Sequence, residues 1–475
     1  MSPSTAQKAP EQPSHNVSTP LVLLTSKYLT GPLTRLSRYY YLRPPYATTN
    51  TYIHPQSRTL GRSGHSLTRL RHSATNLSST NGCTTTPKRL IPATICPVEV
   101  TNEVLHALAQ PPVSHVSPAF AKTFQECIHM VRQVICTTTG QPFIIAGSGT
   151  LGWDQVAANL VEPGEAVLVL HTGYFGDGFK DCLVTYGAQV DLVKAPLGGR
   201  VPIAEVEAAL KRRKYKAITI THVDTSTGVL SDAQGIAKIV KRVSPETLII
   251  LDGVCSVASE EIRMDAWGLD VVLTASQKGL GAPPGLSILI ASQRALDIYK
   301  SRKTPVTSYY ASWNKWLPIM KAYDQGLPAY FGTPPVNLIT AFNASLKQIT
   351  ATGSLDERWR LHAQVSRRIK AVAEQLGMKQ LAKEEGGRAN GMTAVFLPEG
   401  IKAADVLGRL GTKGVVMAGG LVAEIKDRYI RIGHMGTSVV DDARRGDIEV
   451  FASALKEAMA EAKAERELAN AATNV

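Results

Sequence analysis

Four segments of the chain carry residue types that could bind a phosphate, pair with a cation or form a covalent bond. The first, residues 146–152, is a glycine-rich turn containing Ser148, Gly149 and Thr150, placed between a predicted strand and a predicted helix. Glycines let backbone N–H groups approach an anion, and a helix N-terminus attracts negative charge. The turn lacks a Walker lysine and a dinucleotide fingerprint, so it favours a single phosphate monoester. Taken alone, such a turn is more often structural.

Two charged residues follow strongly apolar segments. Asp252 ends the predicted strand 247–251, where a carboxylate needs a hydrogen bond or a cation. It is interpreted either as a turn or cap residue or as the counter-charge of a cationic ring nitrogen. Lys278 lies in the loop 274–285, whose Pro-Pro-Gly end cannot continue a helix or a central strand. A lysine that is desolvated at a sheet edge becomes a nucleophilic amine.

The fourth segment places Arg431 inside the apolar strand predicted at 429–432. A guanidinium there needs a planar anion, which is either a protein carboxylate in a salt bridge or a substrate carboxylate. Together, an anion cradle, an acid and a lysine form the set that pyridoxal 5'-phosphate (PLP) requires, and the arginine is expected across a cleft from them. The residues therefore predict a PLP site, and no metal site is expected.

The elements that must position these residues predict an α/β fold with a mostly parallel sheet covered by helices on both faces. Helical spacing is found at 203–215 and 232–243. The predicted strands are residues 143–146, 166–170, 189–193, 217–221, 247–251, 271–273 and 286–290. Ligands bind at the carboxyl ends of such strands, and this is where the first three segments fall.

After residue 292 the alternation breaks and a smaller C-terminal α+β domain is predicted. Its expected elements are helices at 357–376, 402–411 and 448–468 and strands at 392–397, 414–417 and 429–432. We expect residues 1–88 to be a leader, 89–330 a large PLP-binding α/β domain with its N-terminal segment, and 331–475 the small domain.

The charge of the chain is concentrated in the predicted leader. Residues 1–98 contain eleven basic residues and one acid, Glu11, and so hold ten of the thirteen net positive charges. The remaining residues are nearly neutral and lack a basic stripe, so nucleic-acid binding is not expected. An acid-poor, Arg/Ser-rich N-terminus is typical of an organelle transit peptide, although a disordered tail or a wrong start site would look the same. No apolar run approaches the length of a membrane span, and six widely spaced cysteines predict free thiols in an intracellular protein.

At these motifs the chain resembles the class V (fold-type I) aminotransferases, and within them the alanine–glyoxylate/serine–pyruvate aminotransferase family, its fungal branch in particular. The motifs that carry the resemblance are residues 147–153, 222–229, 251–256, 276–278 and 429–433. The resemblance extends from about residue 90 to residue 450. One departure is the segment 93–96, which lacks a glycine–proline turn that the family usually has.

The resemblance implies a role for individual residues. Lys278 would form the Schiff base with PLP and later move the proton, Asp252 would pair with the pyridine nitrogen, and Arg431 would bind the substrate carboxylate. The residues expected around the rest of the cofactor are Ser148, Gly149, Thr150 and Gln277 at the phosphate, Phe175 stacked on the ring and Thr225 at its phenolic side. Tyr330 and Thr333 match residues that reach the phosphate of the neighbouring subunit, which implies a homodimer with sites at the subunit interface.

The leading functional hypothesis is ping-pong transfer of an amino group from L-alanine to glyoxylate, giving pyruvate and glycine. Serine as donor, with pyruvate or glyoxylate as acceptor, is the nearest alternative. A PLP lyase such as a cysteine desulfurase is a second class, but those enzymes usually have a histidine where this chain has Gln277. A non-catalytic homologue is a third. The leader suggests a mitochondrion and the resemblance a peroxisome, although residues 472–475 are not a Ser-Lys-Leu signal.

Overall fold

The computed structural model describes residues 91–92, 97–351 and 353–473. The predicted leader, Cys83 and the segment 93–96 lie outside the described residues. In chain order, the elements up to residue 300 are β1 (Ile91–Pro92), α1 (Asn102–Leu108), α2 (Pro118–Ile135), β2 (Gln141–Ala146), α3 (Thr150–Leu160), β3 (Ala166–His171), α4 (Tyr174–Thr185), β4 (Gln189–Lys194), α5 (Ile203–Arg212), β5 (Ala217–Thr221), β6 (Val223–Asp224), β7 (Val229–Leu230), α6 (Ala233–Val243), β8 (Leu248–Asp252), α7 (Met264–Trp267), β9 (Val271–Ala275), β10 (Leu286–Ala291) and α8 (Gln293–Lys300).

The second half of the chain is mostly helical around a small sheet. Its elements are α9 (Trp313–Asp324), α10 (Val336–Ala351), α11 (Leu355–Gln375), β11 (Lys379–Gln380), a 3-10 turn (Glu385–Gly387), β12 (Met392–Phe396), α12 (Ala403–Thr412), β13 (Val415–Val416), β14 (Ala418–Gly419), β15 (Tyr429–Gly433), α13 (Thr437–Val440), α14 (Asp442–Arg445) and α15 (Asp447–Thr473).

The main sheet has seven strands in the order β2-β10-β9-β8-β5-β3-β4, and it contains all seven predicted strands. The pairs β9–β8, β8–β5, β5–β3 and β3–β4 are parallel, whereas β10 is antiparallel to both of its neighbours. The predicted mostly parallel α/β fold is therefore confirmed. Strand β10 reverses because only residues 276–285 separate it from β9, too few for a crossover helix.

The burial of each strand follows its place in the sheet. Every residue of the central strands β5, β8 and β9 is buried, as expected when helices cover both faces. The edge strand β4 is half exposed, which explains its polar residues. Helix α6 buries Ala233, Ile236, Ala237 and Val240 at helical spacing, and the Asp232 side chain caps it by accepting from the Gly235 N–H.

The small sheet is antiparallel, in the order β11-β12-β15-β14, and packs against α11, α12 and α15 around a second apolar core. A parallel pair formed by β1 and β13 joins the N-terminal segment to this part of the fold. Helix α10 contributes Ile339, Phe342 and Leu346 to the larger apolar core, which contains the strands of the main sheet. The boundary near residue 330 stays a prediction.

None of the helices among the described residues combines the length and apolarity that a membrane crossing requires. The four cysteines in this part of the chain, Cys127, Cys136, Cys182 and Cys255, are free thiols. No group of three or more His, Cys, Asp or Glu side chains in the same ranges is arranged to hold a metal ion.

Candidate active site

A cavity of about 310 Å³ lies at the carboxyl ends of the main-sheet strands and extends to the small sheet. Nine of the eleven residues selected from the sequence line it together: Ser148, Gly149, Thr150, Phe175, Thr225, Asp252, Gln277, Lys278 and Arg431. The cavity is also lined by residues for which the sequence predicts no role, namely Trp153, Thr221, Val223, Val254, Cys255, Ala418 and Leu421.

The glycine-rich turn forms one end of the cavity. Gly149 is the N-cap of α3, and a Cβ on it would lie 2.8 Å from a methyl group of Val254. The hydroxyl oxygens of Ser148 and Thr150 are 2.5 Å apart, so one hydroxyl donates to the other. Two hydroxyls beside a helix N-terminus form a cradle that suits a phosphate monoester.

Gln277 lies beside this cradle. Its backbone carbonyl accepts from the Val98 N–H at 3.1 Å, which fixes the residue. Its side-chain Oε1 is buried and has no hydrogen-bond partner among the described residues. This buried oxygen can therefore accept a hydrogen bond.

Asp252 is held at the end of β8 by two hydrogen bonds. The backbone N–H of Val254 donates to Oδ1 at 3.0 Å, and the indole Nε1–H of Trp153 donates to Oδ2 at 2.8 Å. Burial raises the pKa of Asp252 to about 6, against the effect of both hydrogen bonds and of Lys278. A buried carboxylate of this kind gains from a cationic partner.

Phe175 is positioned by a buried acid that sequence reasoning missed. Asp224 accepts from the Phe175 N–H at 3.2 Å and from the Ser226 N–H and hydroxyl at 2.9 and 2.6 Å. The hydroxyl of Ser226 in turn accepts from the Tyr174 N–H at 3.0 Å. Gly173 permits this contact, because a Cβ there would lie 2.4 Å from the Ser226 hydroxyl. Asp224 lies inside the motif 222–229, and that motif was the feature of the sequence from which a role for Asp224 could have been inferred.

Lys278 is 5% exposed and lies in a loop that is fixed from several sides. Its backbone carbonyl accepts from the Gly281 N–H at 2.8 Å. The buried guanidinium of Arg358, in α11, donates to the carbonyls of Gly279 and Ala258 at 2.9 and 2.8 Å. Burial lowers the pKa of Arg358 to about 10. The loop therefore holds the lysine backbone in one place at the cavity wall.

Arg431 reaches the cavity from β15 of the small sheet. Its Nε donates to the Gly419 carbonyl at 2.7 Å, and its Nη1 donates to the Thr225 carbonyl at 3.3 Å. The guanidinium is thus placed between the strand β14 and the turn that carries Thr225. This orientation leaves it lining the same cavity as Lys278.

Tyr330 and Thr333 are not among the residues that line this cavity. Tyr330 is 62% exposed, and Thr333 lines a separate small pocket with Tyr310 and Trp316. Within one chain the fold therefore does not bring these two residues to the site.

The fold and this set of residues define an enzyme that depends on PLP. The chain belongs to the class-V aminotransferases, since the family Aminotransferase class-V matches residues 81–435. Members of this family use PLP. The residues fit the cofactor for two reasons. Any side chain at position 149 would fill the cradle that glycine leaves open for the phosphate. The same cavity is lined by a buried acid, Asp252, and a buried lysine, Lys278.

Two curated proteins and one solved structure illustrate the similarity. The chain is 42% identical to "Alanine--glyoxylate aminotransferase 1" of Saccharomyces cerevisiae over 353 residues, covering 72% of this chain and 91% of the yeast protein. It is 31% identical to "Serine--glyoxylate aminotransferase" of Hyphomicrobium methylovorum, covering 74% and 86%. The crystal structure of "Alanine--glyoxylate aminotransferase" from Nostoc sp. matches with a TM-score of 0.72 and 29% identity, covering 78% of this chain and 96% of that one.

Proposed function

We propose that this protein transfers the amino group of L-alanine to glyoxylate, giving pyruvate and glycine. The observation that carries the proposal is the grouping of Lys278, Asp252 and Arg431 around one cavity, in a chain 42% identical to the yeast alanine–glyoxylate enzyme. A cavity of about 310 Å³ suits the cofactor together with a small substrate.

When bound, PLP supplies an aldehyde that bonds to amines and a ring that withdraws electrons from the substrate α-carbon. Lys278 would bond to that aldehyde, and its Nζ, once displaced by the substrate amine, would move a proton from the α-carbon. Asp252 would keep the proton on the pyridine nitrogen. Arg431 would hold the substrate carboxylate in a two-pronged contact. Because both substrates use one site in turn, ping-pong kinetics follow.

The remaining residues would orient the cofactor. Ser148, Gly149, Thr150 and Gln277 would hold its phosphate, while Phe175 would stack on the ring and Thr225 would lie at its phenolic side. The hydrogen bonds that Asp224 accepts from the Phe175 N–H and from the Ser226 hydroxyl support this arrangement, since they fix the backbone from which the ring extends.

Serine is the second candidate donor, favoured by the similarity to the serine–glyoxylate enzyme. A cysteine desulfurase is less well supported. Such an enzyme needs a mobile, reactive thiol, whereas Cys255 in the cavity wall is 3% exposed and burial raises its pKa.

We also infer that the enzyme is a homodimer in which Tyr330 and Thr333 approach the cofactor phosphate of the neighbouring subunit. Their absence from the cavity lining of their own chain supports this inference. So does the exposure of large aromatic residues nearby, with Tyr309 at 74% and Tyr330 at 62%.

With regard to subcellular localisation, we propose that residues 1–88 direct the protein to an organelle, with the mitochondrion as the leading candidate. The proposal rests on the absence of acids between Glu11 and Glu99. The full chain and a chain starting at residue 89, each fused to a fluorescent protein, would be compared with mitochondrial and peroxisomal markers. Loss of mitochondrial signal in the shorter chain is expected, and identical distributions would contradict the proposal.

The decisive experiment for the activity is a half-reaction assay without a keto acid. The PLP-loaded enzyme is mixed in turn with alanine, serine, glycine and aspartate, and conversion of the cofactor to its amine form is followed by absorbance. We expect alanine to react fastest. The K278A variant is the control and should lose at least about a thousandfold in rate, because no other group would move the proton. Sulfide release from cysteine without a keto acid would favour the lyase instead, and bound PLP without reaction would indicate a non-catalytic protein.

A further inference from the structure

The tyrosine two residues before Arg431 has a hydroxyl whose hydrogen-bonding capacity is fully used. Tyr429 is fully buried in β15. Its hydroxyl accepts from the N–H groups of Leu421 and Val422 at 2.7 and 3.0 Å and donates to the carbonyl of Ser226 at 2.8 Å. A hydroxyl has one proton and two lone pairs, so all three are engaged.

The partners of this hydroxyl belong to two segments that form parts of the cavity wall. Leu421, which follows β14, lines the cavity, and so does Thr225, the neighbour of Ser226. Strand β14 pairs with β15 at only two positions, Ala418 and Gly419. Beyond that pair, the hydroxyl of Tyr429 joins residues 421 and 422 back to β15.

Arg431 binds the same two segments. Residues 429 and 431 lie on one face of the strand, because side chains alternate along it. Arg431 donates to the carbonyls of Gly419 and Thr225, one in each segment. Gly420 allows the tyrosine ring to fit there, since a Cβ at that position would lie 2.3 Å from Tyr429 Cε1.

We propose that Tyr429 is a positioning residue that fixes the two segments against which the Arg431 guanidinium is oriented, and that it thereby sets the affinity for substrate carboxylates. The inference rests on the function proposed above. Without the hydroxyl, two N–H groups and one carbonyl lose their partner, and the segments that hold Arg431 are free to shift.

The test compares Y429F with wild type in the loaded enzyme. We expect the KM values for alanine and glyoxylate to rise about tenfold, equivalent to about 1.4 kcal/mol, with kcat changed less than about threefold. Inhibition by aminooxyacetate, which carries a carboxylate, should weaken in parallel. The rate of reaction with hydroxylamine, a carbonyl reagent without a carboxylate, should stay unchanged.

Y215F is the matched control, because Tyr215 is a buried tyrosine whose hydroxyl donates to Asp191 on the far edge of the main sheet. Its KM values should equal those of wild type. KM values in Y429F equal to those of wild type, or an equal loss of reactivity toward both carbonyl reagents, would overturn the inference. A wild-type protein without transamination would overturn the proposed function instead.

Should Y429F not fold, hydrogen exchange on the wild-type enzyme decides. The amides of Leu421 and Val422 should be protected, and exchange at the rate of an open loop would refute the role of the hydroxyl.

Discussion

At the level of single residues, the site depends on what keeps the buried carboxylate of Asp252 ionised, so that it can pair with a cation. Burial alone would favour the neutral acid, and it raises the pKa of Asp252 to about 6. The hydrogen bond from Trp153 acts in the opposite direction. The indole is itself fixed, because it stacks on Phe179 with ring centroids 5.3 Å apart and an interplanar angle of 13°. Trp153 therefore supports the ionised form that would pair with the cofactor nitrogen.

W153F should weaken PLP binding about tenfold at neutral pH, since a hydrogen bond to a charged group contributes roughly 1.5–3 kcal/mol and part of it is recovered by the remaining partner. Loss of the Trp153 hydrogen bond should also raise the pKa of Asp252 further. Release of the cofactor on acidification should therefore begin at a higher pH in W153F than in wild type. Titration of the apoenzyme with PLP at several pH values measures both effects. W313F is the control, because the buried indole of Trp313 donates to Gln155 and does not line the cavity. A pH midpoint equal to that of wild type would argue against this role of Trp153.

At the scale of elements, one buried acid connects the two sheets. Glu260, in the turn after β8, accepts from the Asn390 backbone N–H, from Asn390 Nδ2 at 2.8 Å and from the Gly391 N–H at 3.2 Å, directly before β12. Lys370 of α11 donates to the Ala389 carbonyl at 2.8 Å in the same junction. Burial raises the pKa of Glu260 to about 7 and lowers that of Lys370 to about 8.

The folded-state pKa of Glu260 lies above the ordinary value of 4.5, so the folded protein binds more protons than the unfolded chain between pH 4.5 and about 7. The contribution of this group to the free energy of unfolding therefore falls as pH rises through that window. In E260Q this part of the pH dependence should disappear, a difference from wild type of on the order of 1–3 kcal/mol between pH 5 and 7.

Thermal unfolding of the two proteins at pH 5, 6 and 7 measures the difference. E261Q provides the comparison, because Glu261 is exposed and paired only with Arg263 in the described contacts. It should retain the wild-type slope. If E260Q retains that slope as well, Glu260 does not titrate as its burial indicates.

At the scale of the whole molecule, the cavity built by one chain lacks two of the residues expected at the phosphate. Nine predicted residues line it, but Tyr330 and Thr333 do not. If they serve the neighbouring subunit, a complete site needs two chains, and a dimer is part of the catalytic apparatus.

Mixing two inactive variants tests this arrangement. K278A and the double variant Y330A/T333A should each be inactive or strongly impaired. After subunit exchange, half of the dimers are hybrids, and one site in each hybrid combines an intact Lys278 with an intact Tyr330 and Thr333. We expect recovery of about a quarter of wild-type activity, which follows from random pairing. No recovery, despite exchange shown by differently tagged subunits, would place both groups in the same chain's site.

The main sheet, and nine of the residues that line the cavity, could be predicted from the sequence. Central strands such as β5 and β8 are buried on both faces, and their continuous apolar residues make them visible without any partner. Asp252 and Lys278 were predictable because ligands bind where parallel strands end, and glycine-rich turns mark that edge. Local chemistry was also sufficient for the cap of α6 at Asp232.

The distant side chains that support these residues could not be predicted from the sequence. Trp153 and Asp252 are 99 positions apart, and Tyr429 and Ser226 are 203 apart, so no periodicity or spacing joins them. The same holds for Glu260 and Asn390 between the two sheets. A buried aromatic or acid in the sequence has the same pattern whether it fills a core or orients a neighbour. The difference lies in hydrogen bonds between elements, which exist only after the chain has packed.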